Sequence, residues 1–99
     1  MWATPVYYYE MSGQMKTMID RANSLFSRER NFKDVYLLAT ADDTDVSTVG
    51  GALKGLNGWI KCMKGTRLAG SVFVGGVEGE RAIEGNIGLK KAFDLGKSV

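Results

Sequence analysis

A proline, three tyrosines and a helical stripe, packed into the first 26 residues, constrain this chain more than any other feature. Thr4-Pro5-Val6-Tyr7-Tyr8-Tyr9 reads as the end of a strand. Pro5 fixes φ and lacks an N–H, which suits a strand end or edge rather than its middle, and aromatic residues favour extended backbone. Glu10 to Gly13 then form a tight loop, with Ser12 as N-cap of a helix running to about Phe26. Met11, Met15, Met18, Ile19, Ala22, Leu25 and Phe26 recur at spacings of three and four, so they share one helical face. A strand whose carboxyl end opens into a helix is where open α/β sheets bind ligands.

Bulk properties exclude several functions. Ninety-nine residues make one domain at most, burying roughly 60–65% of the unfolded surface. A formal charge of +2 with scattered basic residues does not argue for nucleic acid. One cysteine and no histidine exclude an internal disulfide framework, leave no metal site to expect, and exclude Ser-His-Asp or Cys-His catalysis by this chain alone. No run approaches the roughly 18 apolar residues of a membrane span, and no secretory signal is visible, so the expected setting is cytoplasmic.

Two further strand–helix units follow. Asp34-Val35-Tyr36-Leu37-Leu38-Ala39-Thr40-Ala41 is a near-continuous apolar run, as expected of a strand covered on both faces. Asp42-Asp43-Thr44-Asp45 bring a turn and cap. A second helix runs from about Val46 to Met63, with Val46, Val49, Leu53, Leu56, Ile60 and Met63 as its buried stripe. Gly50, Gly51, Gly55 and Gly58 lie inside that helical pattern, the wrong context for a dinucleotide fingerprint, and point to close packing. Trp59 falls off the stripe and is expected at an interface or against a neighbouring helix. Cys62 reads as a buried or semi-buried structural thiol. Gly65 closes the helix, Arg67 to Val74 form a third strand, and the last helix extends from Gly85 to about Gly96.

Thr-Pro-Val-Tyr, a short loop and then Gln14-Met15-Lys16-x-x-Ile19-Asp20-Arg21 together resemble the flavin-contacting segment of the flavodoxin-like NAD(P)H-dependent FMN reductases, with Met15 where leucine is usual. The closing Ala92-Phe93-Asp94-Leu95-Gly96-Lys97 is similar to how many members end. The resemblance implies an α/β, three-layer flavodoxin-like parallel sheet. Only the later three strands and their helices would be present, as a single partial domain over residues 1–99 that starts on a stub of the central strand. The N-terminal strands and the phosphate loop would be absent.

The cofactor implied is FMN, with NAD(P)H as electron donor. The resemblance places Thr4, Pro5, Val6, Tyr7, Tyr8, Tyr9, Thr40, Ala41, Gly75 and Gly76 at the flavin. Val6 to Glu10 would offer backbone to its pyrimidine edge, and Tyr7 or Tyr8 an aromatic wall. Capping competes as the role of Thr40 to Asp42, a plain loop as that of Gly75-Gly76, and an ion pair as that of Asp20-Arg21. Because the flavin carries the hydride chemistry, no catalytic side chain is expected. Without the phosphate loop, FMN binding should be weak. An unpaired strand edge and an uncovered sheet face should drive association into a homodimer or higher oligomer. The alternative is a non-catalytic α/β fragment that self-associates with little flavin binding of its own. A one-electron carrier ranks last, because such carriers tend to be strongly acidic.

Overall fold

The computed structural model describes residues 1–29 and 31–99. Arg30, which the sequence places in the polar tail after the first helix, lies outside the described residues. The chain begins with strand β1 (Trp2–Tyr7) and turns through Tyr8-Tyr9 into a two-residue strand β2 (Glu10–Met11). Helix α1 (Gly13–Arg21) follows and tightens into a 3₁₀ turn over Ala22–Leu25. Strand β3 (Asp34–Thr40), a 3₁₀ turn (Val46–Val49), helix α2 (Gly50–Cys62), strand β4 (Arg67–Val74) and helix α3 (Ile87–Ser98) complete the described order.

The sheet order is β2-β1-β3-β4. β1 and β4 both run parallel to β3, and β2 pairs antiparallel with the end of β1. This is an α/β fold consistent with a flavodoxin-like domain. The expected stub is a six-residue strand, paired with β3 from Trp2 to Pro5. The expected open loop after Tyr7 is instead a hairpin.

Alternation along β3 sorts the two faces. Val35, Leu37 and Ala39 are buried against Met15 and Ile19 of α1 and Ala52, Leu56 and Ile60 of α2. On the same side Thr4 is buried and Trp2 and Val6 are half-buried. Tyr36, Leu38 and Thr40 face the other way and are only half-buried. There α3 packs chiefly against β4, while Ala3 and Pro5 of β1 remain exposed. The apolar run of β3 therefore has one fully covered face and one covered in part.

Three stripe positions depart from the helical reading. Met18 and Phe26 are exposed, and so is Val46. The switch to 3₁₀ geometry at Ala22 changes the turn from 3.6 to about 3.0 residues, which rotates Phe26 out of the stripe. Val46 sits in the second 3₁₀ turn, before α2 begins. The capping predictions hold. Ser12 Oγ accepts the Met15 N–H at 3.2 Å, and Asp45 Oδ1 accepts the Ser47 N–H at 2.9 Å. Asn86, rather than Gly85, caps the last helix by accepting from the Gly88 N–H.

Trp59 finds its partners within the chain. Its ring meets Trp2 edge-on at 5.6 Å and stacks on Phe32 at 6.3 Å. Cys62 is exposed, contrary to the buried thiol expected, because the last residue of α2 turns to solvent beside the buried Ile60 and Met63.

Candidate functional site

The carboxyl ends of β1 and β3 bring two sequence-distant segments together. The hairpin tip Tyr8-Tyr9 stands beside Ala41-Asp42-Asp43, with Val6 and Thr48 completing a rim cavity of about 260 Å³. Strand ends of a parallel sheet are where such a fold collects its ligand-binding loops. A larger apolar cavity of about 410 Å³ lies beside the Trp2–Trp59 pair, lined also by Met18, Leu25 and Phe32. It opens by the amino ends of β1 and β3, away from the rim.

The tip is held in an unusual conformation. Tyr8 and Tyr9 have φ of 49° and 65°, the left-handed region that costs a non-glycine residue roughly 1–2 kcal/mol. Two successive residues of this kind match the right-handed twist of the strands they join. Val6 pairs with Met11 and Tyr7 with Glu10, so only the tip lies outside the ladder. The tip carries its rings outward, and Tyr8 is 98% exposed. Below, Gly51 lets the first turn of α2 approach so closely that a Cβ there would collide with the Tyr9 carbonyl oxygen.

The second rim loop is braced from β4. Gly76 N–H donates to the Asp42 carbonyl at 3.1 Å and Val77 N–H to the Ala41 carbonyl at 2.9 Å. Gly75 passes so near Asp43 that a side chain would strike its carbonyl oxygen, and Gly76 has φ of 73°. The Asp45 N–H donates to Asp43 Oδ1 at 2.9 Å. Hydrogen bonding by Ser47, first through its backbone N–H, holds the Asp45 carboxyl below the usual carboxylate range.

The structure thus sorts the expected site residues. Val6, Tyr8, Tyr9 and Ala41 line the cavity, and Tyr7 adjoins it on β1. Gly75 and Gly76 stand behind it as braces. Thr4 is 4% exposed, and its hydroxyl is spent on the Ser12 N–H and the Pro5 carbonyl, so it supports the rim from below. The Thr40 side chain lines a depression on the opposite sheet face with Ala3, Leu38 and Leu89. Pro5 is exposed on that face too. Two lining residues escaped the sequence reading. Asp43 was read only as a cap, and Thr48 was hidden because the chain takes one 3₁₀ turn before α2. Thr48 is 4% exposed, and its hydroxyl oxygen is buried with no hydrogen-bond partner.

The geometry fits one part of FMN and not another. An aromatic-flanked cavity suits a planar ring system, since aromatic side chains prefer offset or edge contacts with rings. A phosphate dianion wants N–H donors and cations. Among the described residues no lysine or arginine lines the cavity, and Asp42 and Asp43 do. Nor does any group of three or more acidic or cysteine side chains there could hold a metal ion.

The family model for NADPH-dependent FMN reductase matches residues 1–78, so the chain belongs to the NADPH-dependent FMN reductase family. No curated protein and no solved structure matches it. Among the described residues no helix is long and apolar enough to cross a membrane.

Proposed function

We propose that this chain binds the isoalloxazine ring of FMN at the Tyr8–Tyr9 rim and supplies the ring side of an NAD(P)H-dependent flavin oxidoreductase. The observation that carries this reading is the juxtaposition of the exposed Tyr8-Tyr9 tip with Ala41-Asp42-Asp43 at the strand ends, in a chain of this family. The flavin, when bound, supplies hydride chemistry with NAD(P)H as donor. The chain's part is orientation. Tyr8 and Tyr9 offer an aromatic wall to one ring face, the backbone of their turn lies outside the β1–β2 ladder beside the ring edge, and the Ala41–Asp43 loop backs the cavity.

The corollary concerns the phosphate. With acidic side chains at the rim, a phosphate site would come from residues beyond this rim, in a second copy or another chain. We propose that the protein works as a homodimer or higher oligomer. A cytoplasmic setting belongs to the same reading, supported by the exposed free thiol of Cys62, which suits a reducing compartment. The second reading, a non-catalytic α/β unit that self-associates, is favoured by the same absence of cations at the rim.

Titration of FMN and of riboflavin with the purified chain, followed by flavin fluorescence, separates the two. Quenching of both to a similar extent supports ring-side binding alone. Tighter binding of FMN supports an assembled phosphate site and calls for NAD(P)H oxidation assays. No quenching of either flavin rejects the ring-side reading.

A further inference from the structure

The chain exposes 6947 Å². A monomeric protein of 10.8 kDa exposes roughly 5,500 Å² by surface scaling, so this one carries about 1,400 Å² more. One partner gives about 800 Å² to a standard interface. The excess is therefore large enough for a stable dimer contact, and two features place it.

The first is the outer edge of β1. Tyr7 and Glu10 flank the two-residue turn and so form its hydrogen-bonded pair, which directs the backbone groups of Tyr7, and by alternation those of Pro5 and Ala3, away from β3. Tyr7 is paired by β2. Pro5 has no N–H, and its carbonyl accepts from the Thr4 hydroxyl at 2.7 Å. Ala3 is left with both an N–H and a C=O at the open edge.

The second is the sheet face beneath. Ala3, Leu38, Thr40 and Val72 floor a depression walled by Leu89 and Ala92 of α3, and no charged side chain lines it. Leu89 and Phe93, one turn apart on α3, are 45% and 67% exposed. An uncharged patch can meet its own copy without like-charge repulsion, as a two-fold contact requires.

We infer that two copies join edge to edge through β1, antiparallel, about a two-fold axis at Ala3. This inference rests on the proposed oligomeric reading and names its surface. The axis follows from the chain. A two-fold normal to the sheet keeps each face on its own side, so paired residues must share a face, and Ala3 opposite Ala3 is the pair whose N–H and C=O groups are both open. Trp2 then lies opposite Thr4 of the second copy, both on the helix-covered side. The product is a continuous sheet with the two α3 helices on one side of it.

Analytical ultracentrifugation of the purified 99-residue chain, with Ala3→Cys in a Cys62→Ser background, tests this. The wild type should sediment at twice the 10.8 kDa of one chain. Mild oxidation should convert Ala3→Cys to a disulfide-linked dimer, because the two Cα atoms of such a pair stand about 5.5 Å apart. Ala3→Pro, which removes the N–H from both copies, should weaken the dimer roughly tenfold or more. A monomer at all concentrations would overturn the oligomeric reading and this inference with it. A dimer that neither cross-links at residue 3 nor responds to Ala3→Pro would overturn the edge pairing and leave the oligomer standing.

Discussion

The hydroxyl of Thr4 accepts the backbone N–H of Ser12 at 2.8 Å, so the last buried threonine of β1 holds the residue that caps α1. Ser12 is itself buried, and its N–H has no water to turn to. This bond spans the hairpin tip and fixes where the Tyr8-Tyr9 turn stands relative to the sheet. Thr4→Val keeps the shape and removes the acceptor. It should cost about 1–3 kcal/mol, the penalty for a buried donor left unpaired, whereas Thr4→Ser should recover most of it. Urea unfolding of the three proteins measures the difference. Equal midpoints for all three would show that the bond contributes nothing.

Gly51 sets the distance between α2 and the rim. Gly51→Ala places a methyl group against the Tyr9 carbonyl oxygen, and backbone cannot rotate aside as a side chain can. The tip should shift, stability should fall by roughly 1–3 kcal/mol as in other overpacked sites, and flavin quenching should weaken. Gly50→Ala, with nothing within 4 Å, serves as the control and should leave both properties near wild type. Thermal melts and flavin titrations of the pair read both effects.

The tyrosine turn trades stability for function. Replacing Tyr8-Tyr9 by Asn-Gly gives residues that enter the left-handed region readily while keeping the hairpin geometry. The double variant should gain about 1–2 kcal/mol in stability, relieving the cost of two non-glycine residues at positive φ. It should also lose the aromatic wall, and with it most quenching of riboflavin. A variant that is more stable and still quenches the flavin fully would remove the tyrosines from the site.

Acid should weaken the fold through Asp34. Its carboxylate accepts from Arg67 Nε at 2.8 Å, and that hydrogen bond, together with the nearby Arg67 and Lys33 charges, lowers its pKa. A carboxyl group depressed in the folded state adds stability above its unfolded pKa, near 4, and that contribution disappears as pH falls through the lower folded value. Asp34→Asn should flatten this acid limb without altering stability differences between pH 5 and 8. The pair is exposed on both sides, so the effect should be small and should shrink in high salt. Denaturation midpoints from pH 2 to 6, at low and high salt, test it.

Much of the architecture was legible because it follows local chemistry. The apolar run of β3, the Ser12 and Asp45 caps and the stripe Ala52 to Ile60 declare themselves through period and capping, which depend on neighbours in the chain. The hairpin did not declare itself. Tyr-Tyr is a poor signal for a turn that usually takes Asn-Gly, and β2 is only two residues long. Thr48 was missed for a related reason. A single 3₁₀ turn ahead of α2 changes which side chain faces the rim, and no periodicity reports that.

By itself the sequence determined three parallel strands in the order met, the helices between them and the family to which they belong, because periodicity and a turn-plus-helix motif are properties of contiguous residues. The tertiary structure decided which of those residues share a surface. It put Thr40 and Pro5 on the face opposite the rim while Val6 and Ala41 line the cavity, since successive side chains of a strand point to opposite sides and the pleat allows only one set to meet a ligand. It also decided that Ala3 keeps an open backbone edge, because pairing is settled by what lies beside a strand in space, and nothing within Trp2–Tyr7 records its neighbours.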